Sequence, residues 1–303
     1  MSSSTRPTGL IANSGIELLT FGTPNGHKAT IILEELKESY GKTYTYQSIN
    51  IMENVQKEPW FTKFSPNGRI PAVVDHDRNQ FSVFEGAAIL SYLVRHYDPE
   101  HKFSFEDADD LSRAEQWVAW QHGGLGPMQG QANHFFRLAK ERIPYPTQRY
   151  VGESERLYGI LDNQLKDRDY LVGEGRGKYS IADIANFSWV NWAYFAGINL
   201  AQFPNLNKWR LKEEPGFKES EQKLTDLANK AKEQYGYNFA SALKFLKQSF
   251  YNDPIRTDFP FRIREVVEGM LRRVRQTINQ ILVINQAEAE AESKEGYLPT
   301  DLS

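Results

Sequence analysis

The chain has 303 residues, 40% of them hydrophobic and 25% charged, with a formal net charge of −3. That is the composition of an ordinary globular protein with length for about two domains, and its near-neutral balance excludes the basic footprint of a general nucleic-acid binder. Cysteine is absent, which excludes disulfides, thiolate metal sites and protein-borne thiol chemistry and fits a cytoplasmic setting.

Residues 1–15 hold Arg6, no acidic residue and no apolar stretch of the signal-peptide kind, and read as a disordered leader. No run of about 18 apolar residues follows that could span a membrane. An apolar run over 16–21 reads as a strand. The next segment, 27–40, carries Ala29, Ile32, Leu33 and Leu36 at helical spacing. A second strand over 42–51 makes a strand–helix–strand unit, which implies parallel pairing through a right-handed crossover. After a short helical turn over 60–64, Pro71 stands directly before an apolar strand, 72–74. It cannot donate a ladder hydrogen bond there, and a cis X–Pro turn is one solution. A strand over 81–84 and a helix opening at Glu85-Gly86-Ala87-Ala88 complete a βαβ–ββα domain over 16–98.

Residues 99–107 read as a linker. Beyond them strand signals vanish, and helices are expected over 108–120, 130–142, 148–166, 181–196 and 205–213, an all-α domain over 108–217. Ser180 with Asp183 three residues on is close to a capping box, so Asp183 reads as a capping residue. Residues 218–303 form a helical extension with a polar, acidic tail. Within it, Ile263, Val266, Met270, Val274, Ile278 and Ile281 line one stripe, flanked by Arg262, Arg264, Arg272, Arg273 and Arg275. Such a helix serves a partner protein, an anionic membrane or nucleic acid, and its plain alternative is burial against its own protein. Of these partners a protein is the one expected, with no nucleic acid and no membrane.

The stretch Phe21-Gly22-Thr23-Pro24-Asn25-Gly26-His27-Lys28 sits at the first strand-to-helix junction, where backbone N–H groups face an anion. A free thiol, pKa about 8.5, must drop about two units to be mostly thiolate at neutral pH, or about 2.7 kcal/mol. The helix N-terminus contributes about 0.3–1 kcal/mol, and about 2 when partly buried. A hydrogen bond from Thr23 Oγ or Asn25 Nδ2 to a charged sulfur, about 1.5–3 kcal/mol, closes the gap. The sulfur has to arrive with a ligand. The plain alternative is a turn made by Asn25-Gly26 with Thr23 as its cap. Backbone groups of Ile70 beside a cis Pro71 suit an extended peptide added as a strand. Glu85 and the N–H groups after it suit an ammonium and a carboxylate. His122 and His134 stand too isolated for a metal site, and Trp117, Trp120, Trp189, Trp192 and Trp209 read as packing.

The segments TPNGHK, SPNGRIPAVVD, FEGAAIL, GGLGPMQGQANHF, IPYPTQRY, YLVG and YSIADIA occur in an order and spacing that resembles one group over about residues 16–217. That group is the nu-class glutathione transferases of bacteria and the related fungal proteins that include the yeast prion-type nitrogen regulator. The resemblance implies an α+β glutathione-transferase fold, a thioredoxin-like N-terminal domain followed by an all-helical one, in a homodimer. It implies glutathione as co-substrate, no metal, and reduction of disulfides, with peroxidase activity and weak transfer to small electrophiles. It also implies that Thr23 and Asn25 face the glutathione sulfur, that Ile70 pairs with the cysteinyl backbone, and that Glu85 and the Gly86 N–H hold the γ-glutamyl end. Gln56 and Arg69 join the same site, and Arg149 reaches a second glutathione. One departure stands out: the group usually carries serine where this chain has Gly86. That loss and the extension motivate a second hypothesis, a regulatory or scaffold protein on the same fold whose extension binds a partner. A third is a transferase that adds glutathione to one metabolite.

Overall fold

Ile16, Leu18 and Leu19 are apolar on both faces of one short segment, so Ile16–Thr20 (β1) needs cover above and below. The computed structural model describes residues 6–212; the extension over 218–303 lies outside the described residues. β1 pairs parallel with Tyr44–Ser48 (β2) and antiparallel with Ala72–Asp75 (β3), which pairs antiparallel with Phe81–Phe84 (β4). The sheet order is β2-β1-β3-β4. Pro24–Tyr40 (α1) is the crossover between the parallel strands. Its Ala29, Ile32, Leu33 and Leu36 pack with Ile16, Leu18 and Val73 of the sheet and with Ile89, Leu90 and Leu93 of Gly86–Tyr97 (α3). The opposite face is closed by Ile49, Val55 and Phe61, the last on the single turn Pro59–Thr62 (α2), against Leu19 and Ala72. The expected βαβ–ββα order is present, with the Ile70–Pro71 bond cis.

Four expectations need correction, two of them near the N-terminus. The helix expected from 27 begins at Pro24, so Asn25 and Gly26 belong to its first turn. Thr23 caps it, its Oγ accepting the Gly26 N–H at 3.1 Å, and Pro24 has no N–H to leave unpaired at that position. Gly26 is obligatory, because a Cβ there would meet the Phe21 carbonyl oxygen at 2.1 Å. The leader expected to be disordered is in fact docked from residue 6. Arg6 pairs with Glu58, and the N–H groups of Ile11 and Ala12 donate to the Glu17 carboxylate at 3.0 and 2.9 Å. Glu17 is fully buried on β1. A buried carboxylate demands donors, and the leader's backbone supplies them together with Gln47 and His76.

The expected linker is also packed, since Asp98 accepts the N–H groups of Lys102 and Phe103 and buries Phe103. The helical part comprises Ala108–Trp120 (α4), Gly126–Asn133 (α5), Pro144–Gln164 (α6), Ile181–Val190 (α7) and Pro204–Lys212 (α8). Two π-helical segments, Gln121–Leu125 and His134–Leu138, flank α5, so the helix expected over 130–142 is broken. Five-residue closures such as Ala139 N–H to His134 C=O at 2.7 Å leave no signature in a 3.6-residue pattern. Asp183 completes a capping box with Ser180, as expected.

Candidate functional site

The sheet register brings the N-terminal segments together. Leu19 of β1 is opposite Ala72 of β3, and Ala72 is opposite Phe84 of β4. Every segment that continues from this row leaves the sheet at one edge: Thr23 and Asn25 after β1, Ile70-Pro71 before β3, Glu85-Gly86 after β4. Two strand spacings separate the first from the last, about 10 Å, the span of about three extended residues. The site therefore has the length of a tripeptide.

Each station has donors or acceptors to spare. The Thr23 hydroxyl uses an oxygen lone pair on the Gly26 N–H, which leaves its O–H as a donor. Asn25 is exposed, and its Oδ1 accepts from Trp189 Nε1 at 3.1 Å, which leaves Nδ2 as a donor. The backbone N–H and C=O of Ile70 take no partner among the described residues. Glu85 caps α3 with φ 70° and ψ 121°, a conformation costing a non-glycine residue about 1–3 kcal/mol. The Glu85 side chain makes no hydrogen bond to the N–H groups of the helix start, which stay open. Asn67 Nδ2 reaches Glu85 Oε1 at 3.5 Å, and His122 Nε2 lies 3.3 Å from Oε2.

Gln56 is buried next to the Gly68-Arg69-Ile70 segment. Its Nε2 donates to the Ile51 carbonyl at 3.3 Å, while its Oε1 has no partner, an acceptor left open. Arg69 is exposed, and its own carbonyl accepts from Ser65 Oγ at 2.8 Å. Arg149 is exposed on α6, and no described contact joins it to this edge.

Three participants have no signal in the chain. His122, isolated by sequence spacing, is carried to Glu85 by the π-helical segment after α4. Trp189 belongs to the core and also touches Asn25. Lys28 lies buried on α1, donates to Gln121 Oε1, and packs below Gly86. Burial pushes its ammonium down to about 7, and the Glu85 charge acts in the opposite direction. Among the described residues no three acidic or histidine side chains converge to hold a metal, and no helix is long and apolar enough to cross a membrane.

Comparisons with known proteins bear on the family and the fold. A family model described as the N-terminal domain of glutathione S-transferase matches residues 23–96, and one for its C-terminal domain matches residues 147–212. The disulfide-bond oxidoreductase YfcG of Escherichia coli is 39% identical over 198 residues, 64% of this chain and 87% of that protein. The glutathione S-transferase-like protein tpcF of Aspergillus fumigatus is 34% identical, over 64% of this chain and 89% of its own. Among solved structures, a glutathione transferase homologue from Lodderomyces elongisporus with two glutathiones per subunit superposes with a TM-score of 0.61. It is 36% identical and covers 66% of this chain and 93% of that one. The yeast prion protein Ure2p in complex with glutathione gives 0.62 at 32% identity, over 68% and 92%.

Proposed function

The chain belongs to the glutathione S-transferase family, and on that premise we propose that it is a nu-class-like, glutathione-dependent disulfide reductase and transferase, with peroxidase activity, that activates the thiol of bound glutathione at Thr23 and Asn25. The observation that carries the site assignment is the row Leu19–Ala72–Phe84, which sets three segments with open hydrogen-bonding groups along a tripeptide's length. Ile70 offers one N–H and one C=O, the pair an added strand requires. Glu85 receives the γ-glutamyl ammonium, and the Gly86 N–H receives its carboxylate. The buried Oε1 of Gln56 accepts an N–H from the ligand, and the exposed Arg69 in the adjoining segment helps to hold it. Arg149 is assigned to a second glutathione on the helical side.

At the sulfur, the Thr23 O–H and Asn25 Nδ2 donate to the thiolate and the α1 N-terminus adds its field. Glutathione supplies the nucleophilic sulfur, and the second substrate is a disulfide or a small electrophile. The test is calorimetric binding of glutathione, followed by exchange with a model disulfide. No binding at millimolar concentration overturns the assignment and favours the regulatory hypothesis.

Gly86 gives a sharper check. A Cβ at this position would meet Lys28 Cδ at 3.4 Å and Nζ at 3.9 Å, ordinary van der Waals contact, so a serine fits. Gly86→Ser is expected to tighten glutathione binding by about 1.5–3 kcal/mol, the worth of one hydroxyl contact to a charged group. Unchanged affinity by calorimetry rejects a γ-glutamyl carboxylate beside this residue.

The homodimer belongs to the same proposal. β4 is an edge strand with exposed Phe81 and Phe84, and beside it a recess of about 950 Å³ is lined by Arg78, Tyr92, Arg95 and His96. Phe81, stacked on Tyr92 at 5.6 Å, is expected to anchor the interface. Phe81→Asp is expected to weaken the dimer by about 2 kcal/mol or more, read by sedimentation. A cytoplasmic setting completes the assignment, since glutathione is kept reduced there.

A further inference from the structure

Trp189 lies near the C-terminal end of α7, only 7% exposed, and is held from several directions. Its carbonyl accepts from Gln129 Nε2 at 2.9 Å and from the Tyr158 hydroxyl at 3.4 Å. Its ring fills the space above Gly126 and Gly130, where a Cβ on either would meet ring atoms at 3.5 Å. From this fixed seat its Nε1 reaches Asn25 Oδ1 at 3.1 Å, a contact between residues 164 positions apart.

The chemistry of that contact is one-directional. An indole nitrogen is a donor only, whereas an amide presents an acceptor on one side and two donors on the other. The two orientations of an asparagine amide have almost the same shape, so its hydrogen-bond partners decide between them. Without Trp189 the exposed amide of Asn25 turns either way. One orientation offers a thiolate a donor, the other a repelling carbonyl oxygen. With Trp189 in place the carbonyl faces the indole and Nδ2 faces outward.

We propose that Trp189 is a positioning residue of the reaction: it locks the amide of Asn25 with its Nδ2 donor toward the sulfur of the bound thiol. It rests on the assignment of Asn25 to the thiolate given above, and it makes the helical domain a contributor to thiol activation. Loss of the indole N–H then acts on the sulfur through Asn25 alone.

The experiment titrates the thiol of bound glutathione by its ultraviolet thiolate band, in wild type, Trp189→Phe, Asn25→Ala and the double variant. Trp189→Phe is expected to move the titration upward by about half a unit to one unit, and to displace the pH profile of disulfide exchange by the same amount. In the Asn25→Ala background it is expected to move neither. A Trp189→Phe titration equal to wild type while Asn25→Ala shifts, or an equal shift in both backgrounds, overturns the positioning role. A wild-type titration unmoved by Asn25→Ala overturns the assignment of Asn25 itself and this role with it. If phenylalanine leaves a void that prevents folding, replacement of Trp189 by 3-benzothienylalanine keeps the ring shape and removes only the N–H, and the same outcomes apply.

Discussion

In Asn25→Ala the thiol of bound glutathione is expected to titrate about one to two pH units higher than in wild type. The size follows from one hydrogen bond to a charged group, about 1.5–3 kcal/mol, at about 1.36 kcal/mol per unit. Asn25 is the cleaner to test of the two positions proposed to face the sulfur. Thr23 also caps α1 through the Gly26 N–H, so Thr23→Val costs about 1 kcal/mol of stability as well. The rate responds less than the titration does. Near neutral pH the variant holds less thiolate, but a more basic thiolate is a better nucleophile, with a Brønsted slope of about 0.4–0.5. With a wild-type thiol pKa of about 6.5, disulfide exchange at neutral pH is therefore expected to range from nearly unchanged to about fourfold lower, and above the variant's thiol pKa the variant is expected to overtake the wild type. Crossing pH–rate curves are the signature. A uniform loss at every pH, with no displaced titration, makes Asn25 a binding group and removes it from thiol activation.

The stations of the site were legible where local chemistry forces local structure. Pro71 before an apolar strand announced a turn, the 3.6-residue spacing from Ala29 to Leu36 announced the crossover helix, and Ser180 with Asp183 announced a helix start. Each is decided within a few residues, and each is present. What escaped is decided between elements. The leader is ordered because Glu17, buried on β1, needs donors that no periodicity reveals. His122 reaches Glu85 because a π-helical segment shifts the phase of the helix that carries it. Trp189 reads as core because it is core, and its second task depends on one nitrogen atom at the edge of the ring. The family resemblance points to Thr23, Asn25, Ile70 and Glu85 as site candidates, but it does not say which polar atoms are already in use. Thr23 shows the difference: its cap on Gly26 uses one oxygen lone pair, and the O–H is left for the contact proposed to the sulfur.

The largest effect on stability is expected at Asp183. Its Oδ1 accepts the Leu171 N–H at 3.0 Å and the Trp209 Nε1–H at 3.2 Å, and its Oδ2 accepts the Ser180 N–H at 3.1 Å and lies 3.3 Å from Ser180 Oγ. One side chain thus ties the segment before α7 to the start of α7 and to α8, with no water to replace it, since Asp183 is fully buried. Asp183→Ala strands these N–H donors at about 1–3 kcal/mol each, less relaxation, so a loss on the order of 3–5 kcal/mol is expected in urea unfolding. The sign of its pH dependence follows from the carboxyl itself. Burial pushes its pKa from the ordinary 3.8 up to about 7, against donors that pull it down. Between those values the unfolded chain releases a proton that the folded chain keeps, so Asp183's contribution is complete below the lower value and is lost as pH rises toward the upper one. Asp183→Asn does not titrate. It loses one hydrogen bond, because its amide nitrogen faces the Ser180 N–H, yet its stability is expected to be flatter over that window, so that the gap to wild type narrows as pH rises. A gap that widens instead means that the donors outweigh burial and that the carboxylate is ionised throughout. In either case α7 depends on this anchor at one end while Trp189 near its other end holds Asn25, so loosening the anchor is expected to reach the sulfur site through the helix.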